Sequence, residues 1–225
     1  MFGQIQPTQF DLEFSLLGVP VRVNPFFWLV AIIFGWGLGD ASLVVLWVIA
    51  VFFSILVHEM GHAMMARAFG YSPHIVLHQF GGYASFIPGH RHTLGKSIAI
   101  SLAGPVAGFT LYAIFWGIES ALFTNNVELS RGLFALFSFM FHINLYWGLV
   151  NLLPVLPLDG GQVCRDTLLS FRRHDGETWA MRISVAVGIA MAIYFLQNGE
   201  RYPAILFGLL AFQNLQALNH RNNSW

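Results

Sequence analysis

Residues 51–70 read VFFSILVHEMGHAMMARAFG, an apolar run with two histidines and a glutamate set into its middle. The run reaches back to Ser42 without meeting a charge, so it exceeds the roughly 20 residues a membrane helix needs. A charge near the bilayer centre costs at least about 2.5–3.5 kcal/mol on insertion scales, and such groups normally mark a functional path. If a helix starts near Ser42, His58 lies roughly 24 Å along it at about 1.5 Å per residue. That places the polar cluster toward one end of the span, within reach of water.

The rest of the chain agrees with a membrane reading. Of 225 residues, 56% are hydrophobic and only 10% charged, far below the roughly 25% of a soluble domain. Zero net charge offers no basic footprint for nucleic acid. A single cysteine, Cys164, rules out an intrachain disulfide framework. The start, MFGQIQPTQFDLEFSLLGVPVRV, has neither the basic opening nor the short apolar core of a cleaved signal, so the first span is expected to stay.

Six hydrophobic spans follow an N-terminal interfacial segment at 1–24, at about 25–39, 42–69, 97–119, 131–154, 178–197 and 202–219. The first is short and carries Gly35, Gly37 and Gly39. The fold class expected is therefore an all-α polytopic membrane protein of about six transmembrane helices. A single membrane-embedded domain over 1–225 fits the length, with a short tail after 219. Alternation in Phe10–Phe14 suggests a short strand or interfacial piece, and 71–92 reads as a small β-hairpin at the membrane surface around Gly81-Gly82.

With the N-terminus inside, Arg22, Arg67, Arg91, Lys96, Arg165, Arg172, Arg173, Arg182 and Arg221 fall on the cytoplasmic side, against Arg131 and Arg201 outside. Nine against two puts both ends, and the His58 end of its span, toward the cytoplasm.

HEMGH, residues 58–62, is a H-E-x-x-H pattern. Residues four apart share a helix face, so His58 and His62 can point at one metal ion. Glu59 beside them can act as general base toward water activated there. Zinc suits imidazole and carboxylate ligands in a tetrahedral site with one open position. The competing reading is a set of satisfied interior polar residues. The cost of burying them in lipid argues against it.

Two histidines leave such an ion short of a ligand. NLLPVLPLDGG at 151–161 offers Asp159, on the same side and at the same depth as His58 by the topology above. Pro154 and Pro157 cannot continue a regular helix, and irregular backbone at membrane depth survives only inside protein or beside a water-filled cavity. Asp159 is equally placed to cap a helix beginning near Gly160. The unfilled ligand position favours the metal.

Together, HEMGH in a membrane helix and NLLPVLPLDGG about a hundred residues later resemble the site-two protease family of intramembrane zinc metalloproteases. Asn151, Pro154, Asp159 and Gly160 match the family's N-x-x-P-x-x-x-x-D-G motif without a gap. Phe80-Gly81-Gly82 resembles its glycine-bearing surface hairpin, and Ser101–Pro105 its third span, so the likeness runs from about 10 to 180. It implies one zinc ion held by His58, His62 and Asp159, with Glu59 as the base. It also implies a substrate in the transmembrane segment of another membrane protein, often an anti-sigma factor or membrane-tethered transcription factor. A prokaryotic cytoplasmic membrane is the expected setting. Neither an inserted PDZ domain nor a C-terminal CBS domain is read here, which leaves regulation open.

A membrane helix must unwind before its carbonyls can be attacked. Phe80, Gly81 and Gly82 are candidates for binding the extended substrate by strand addition, with an ordinary interfacial turn as the alternative. Asn151 is a candidate for bonding the substrate backbone or oxyanion, against a structural amide. Gly104 and Gly108 read as close packing against the active-site helix. His142 and Asn144 are placed either to line the site or to satisfy each other, and the second reading is favoured. His74, His78, His90 and His92 default to surface residues, and Cys164 to a packed helix position.

Three rivals remain. A metal or proton-coupled transporter leaves Glu59 without a role and calls for paired broken helices in related halves. A di-iron oxidase needs more histidine clusters than this chain has. An inactive relative that only binds membrane proteins is opposed by the intact HEMGH and LDGG.

Overall fold

The computed structural model describes residues 6–89 and 92–222. The chain begins with β1 (Leu12–Leu16) and β2 (Val19–Val23), followed by α1 (Pro25–Gly35), a 3-10 turn at Trp36–Leu38, and α2 (Ala41–Ala68). A hairpin of β3 (His74–His78) and β4 (Gly81–Ser85) leads into α3 (Leu94–Thr124) and α4 (Arg131–Asn151). α5 (Asp159–Phe171), α6 (Gly176–Gln197) and α7 (Arg201–Asn222) complete the fold.

Helices occupy all six expected spans. Four of them, α2, α3, α4 and α6, are long and apolar enough to cross a bilayer, while α1 with its 3-10 extension is shorter. The protein is an integral membrane protein. Broad outward exposure of large apolar side chains along these helices, such as Phe53, Val106 and Ile193, suits lipid contact.

The β element is larger than a hairpin. Four strands form one sheet in the order β1-β2-β3-β4. β1 and β2 pair antiparallel around a turn in which Leu17 and Gly18 both take positive φ, the geometry that matches strand twist in a two-residue hairpin. β2 pairs parallel with β3 over Val21–Val23 and Ile75–Leu77, and β3 pairs antiparallel with β4. Alternation in VPVRV sends Val19, Val21 and Val23 inward, while Ile75, Val76 and Leu77 are buried on both faces.

Two compact units can be distinguished, one of residues up to 91 with 103–149, the other of 92–102 with 150–225. In the first, Val19, Val21, Val23, Ile75 and Leu77 pack with Phe27 of α1 and Ile55, Leu56 and Met60 of α2. In the second, Val155, Phe207 and Leu210 form the core, joined by Val187 and Met191 of α6.

Candidate metal centre

α2 starts behind Asp40, whose carboxylate accepts from the Ser42 N–H, and it runs 28 residues without a break. That continuity sets the register of the polar cluster. His58, Glu59 and His62 are all buried, at 3%, 4% and 7% exposure. The two imidazoles stand at 82° with their Nε2 atoms 3.2 Å apart. Two nitrogens each about 2.05 Å from a tetrahedral zinc stand roughly 3.3 Å apart. The donor pair therefore fits zinc in type and in spacing.

The walls around this pair depend on missing side chains. A methyl group at Gly104 would run into the His62 ring, and one at Gly61 into the Ala103 carbonyl and the Ala107 methyl. The Gly104 packing read from the sequence is thus found, and it bears on the His62 ring. Gly82 lies against Glu59, where an added Cβ would meet its Cγ at 2.7 Å and its Oε1 at 3.0 Å. Gly81 has φ +123°, a conformation side chains rarely adopt. Phe80 is exposed at the turn, and among the described residues no strand pairs with the outer side of β4.

One turn before His58, Ser54 is buried and its Oγ accepts from Asn144 Nδ2 at 2.9 Å. The same amide donates to the Met140 carbonyl. Ser54 was not singled out from the sequence, though its place four residues before His58 puts it on the same helix face. The reading that His142 and Asn144 satisfy each other is corrected: His142 is exposed, its Nδ1 is 2.7 Å from the Ser138 carbonyl oxygen, and it pairs with Tyr146. Residues two apart on a helix point to different faces.

In the second unit, α4 ends at Asn151, which is buried at 9% exposure. The chain then leaves helical geometry until α5. Asp159 is the first residue of α5, with Leu158 in the capping position, so Asp159 is not the cap. It is 8% exposed, and a carboxylate in the first helical turn is favoured by the helix dipole. Gly160 and Gly161 are pressed against the backbone of Leu152–Leu153 and Val155–Leu156, leaving no room for a side chain at either. The Leu156 N–H donates to Ser184 Oγ at 3.0 Å and its carbonyl accepts from Asn214 Nδ2 at 2.7 Å. Neither Ser184 nor Asn214 was singled out from the sequence.

Among the other candidates, His74 is exposed and His92 half-buried, while His90 lies outside the described residues. His78 departs from the surface expectation: it is 7% exposed, its Nδ1 accepts from the Phe80 N–H at 3.3 Å, and burial lowers its pKa. Cys164 is half-buried on α5, and burial pushes its thiol pKa up, as expected of an inert packed thiol.

A membrane-length helix carrying H-E-x-x-H with both imidazoles converged makes a candidate metal centre at membrane depth. Residues 120–195 match the family described as Peptidase family M50. The YwhC protein of Bacillus subtilis is 31% identical over 147 residues, covering 53% of this chain and 67% of that one. The chain belongs to peptidase family M50. A zinc metalloprotease of Methanocaldococcus jannaschii is 27% identical over 88% of this chain and 53% of its own. The structure of a site-2 protease from the same archaeon shares the fold, with TM-score 0.65 and 23% identity over 93% of this chain and 95% of that one. The chain spans little more than half the length of the curated relatives it matches over most of its own length.

Proposed function

We propose that this protein is an intramembrane zinc endopeptidase that hydrolyses peptide bonds within or near transmembrane segments of other membrane proteins. The observation that carries the reading is the His58 and His62 Nε2 pair at 3.2 Å, with Glu59 buried beside it on a membrane-length helix. In this reading His58, His62 and Asp159 hold one zinc ion per chain. Zinc bound there supplies Lewis acidity toward the scissile carbonyl and toward the attacking water. Glu59 takes the proton from that water and passes it to the leaving amine. Gly82 keeps the space at Glu59 narrow, which limits the directions its carboxylate can face.

The outer edge of β4 offers backbone groups to an extended substrate, and Phe80, Gly81 and Gly82 form the end of that edge. Asn151 donates its amide to the substrate backbone or to the developing oxyanion. α1 and α7 join the four apolar helices to make six crossings of a single membrane-embedded domain. The Lys and Arg distribution supports both termini and the active site facing the cytoplasm, in a prokaryotic cytoplasmic membrane. The partners are the lipid bilayer and a membrane-protein substrate such as an anti-sigma factor or membrane-tethered transcription factor. No nucleic acid is involved.

The test is made on protein purified in detergent, by measuring bound zinc and the cleavage of transmembrane substrates. Wild type is expected to carry one zinc and to cut, while Glu59→Gln keeps the zinc and does not cut. Cutting by Glu59→Gln at the wild-type rate would remove Glu59 as the base.

A further inference from the structure

Between Asn151 and Asp159 the chain has two prolines, at 154 and 157, and cannot make helical hydrogen bonds throughout. In a membrane interior each backbone group left over needs a partner. Leu153 N–H bonds to the Val150 carbonyl, Val155 N–H to Leu153, and Leu158 N–H to Val155. These bonds are local and fold the segment onto itself. Leu156, between the prolines, is the residue whose N–H and carbonyl both go elsewhere. Its N–H is taken by Ser184 of α6 and its carbonyl by Asn214 of α7.

Both side chains are used twice. The Ser184 hydroxyl donates to the Ala180 carbonyl at 2.8 Å while accepting from Leu156. The Asn214 amide donates one hydrogen to Leu210 and the other to Leu156, at 2.8 and 2.7 Å. Back-bonding to a carbonyl four residues earlier is ordinary for a polar residue in a helix. The second bond is not, and two helices converge on one peptide to make it. Ser184 is 1% and Asn214 7% exposed, so water does not substitute.

Leu156 is three residues before Asp159, and Gly161 packs against the Val155–Leu156 peptide. The backbone fixed by α6 and α7 is therefore the platform on which the first turn of α5 rests. We propose that Ser184 and Asn214 are positioning residues for the Asp159 carboxylate, clamping the unwound segment so that this ligand holds one place. The proposal rests on Asp159 being a zinc ligand. It gives α6 and α7, which carry no part of either motif, a share in building the metal site.

The experiment is a cobalt titration of the full chain in detergent after metal removal, reading the dissociation constant and the visible Co(II) bands. Helicity by circular dichroism checks the fold. Ser184→Ala and Asn214→Leu are each expected to weaken binding about tenfold, in line with the loss of groups that orient metal ligands, and to change the Co(II) bands. Ser184→Thr keeps the hydroxyl and is expected to bind as wild type. A loss in Ser184→Thr equal to that in Ser184→Ala would mean lost packing and overturn the proposal. Asp159→Asn separates the two levels. If it binds weakly while both clamp variants bind as wild type, only the clamp fails. If Asp159→Asn itself binds as wild type, the ligand assignment falls and takes the clamp with it.

Discussion

His58 and His62 are carried by an uninterrupted helix of 28 residues, whereas Asp159 stands at the end of a stretch broken by Pro154 and Pro157. In α2, register alone brings the two imidazoles to one face, and Gly104 of α3 makes room for the His62 ring. In the broken stretch no register exists. Position comes instead from backbone against backbone, at Gly160 and Gly161, and from side chains of α6 and α7 bonded to Leu156. A helix places a side chain through local rules; an unwound segment needs long-range contacts to do the same.

The contrast can be broken at its chemistry first. Glu59→Gln removes only the proton acceptor and leaves the helix and both imidazoles, so cleavage is expected to fall by about 10²–10⁴-fold with zinc content unchanged. Next come the glycines, where the two regions should fail differently. Gly160→Ala and Gly161→Ala would drive a methyl into backbone that has nowhere to go, so thermal unfolding should register a loss at the upper end of about 1–3 kcal/mol. Gly104→Ala meets the His62 ring, and Gly82→Ala meets the Glu59 and Leu77 side chains, in both cases side-chain atoms rather than backbone. Those two variants should stay nearer wild type in stability while losing metal affinity and cleavage rate respectively. Equal stability losses at all four sites would erase the distinction.

Much of the helical half was legible in the sequence because its rules are local. H-E-x-x-H at four-residue spacing implies a shared face, and Asp159 was singled out because two histidines leave a ligand missing. Helices stand at all six apolar runs. The sheet was only half legible: β3 and β4 follow from alternation around Gly81, but the parallel pairing of β2 with β3 joins residues more than fifty apart. No local pattern carries such a contact. Ser184 and Asn214 were hidden for the same reason, since their partner lies 28 and 58 residues away. His142 and Asn144 were misjudged by ignoring that residues two apart on a helix diverge.

Smaller effects sharpen the comparison. Ser54→Ala removes the acceptor of a buried Asn144 amide hydrogen, and unfolding should show a loss of about 1–3 kcal/mol. At the hairpin, burial lowers the His78 pKa. The unfolded chain therefore binds the extra proton first, so this contribution is complete above the ordinary histidine value near pH 6.5 and is lost as pH falls below it. Acidification from pH 7.5 to 5 should destabilise the wild type more than His78→Gln. Identical pH slopes would contradict that assignment.

The central claim is that one ion is shared by the regular helix and the broken stretch. The most direct measurement is zinc content and affinity in detergent for wild type, His62→Ala and Asp159→Asn, with Glu59→Gln as the unchanged reference. One zinc per chain in wild type and in Glu59→Gln, with binding weakened in both ligand variants, is the expected result. Wild-type zinc affinity in Asp159→Asn would contradict it.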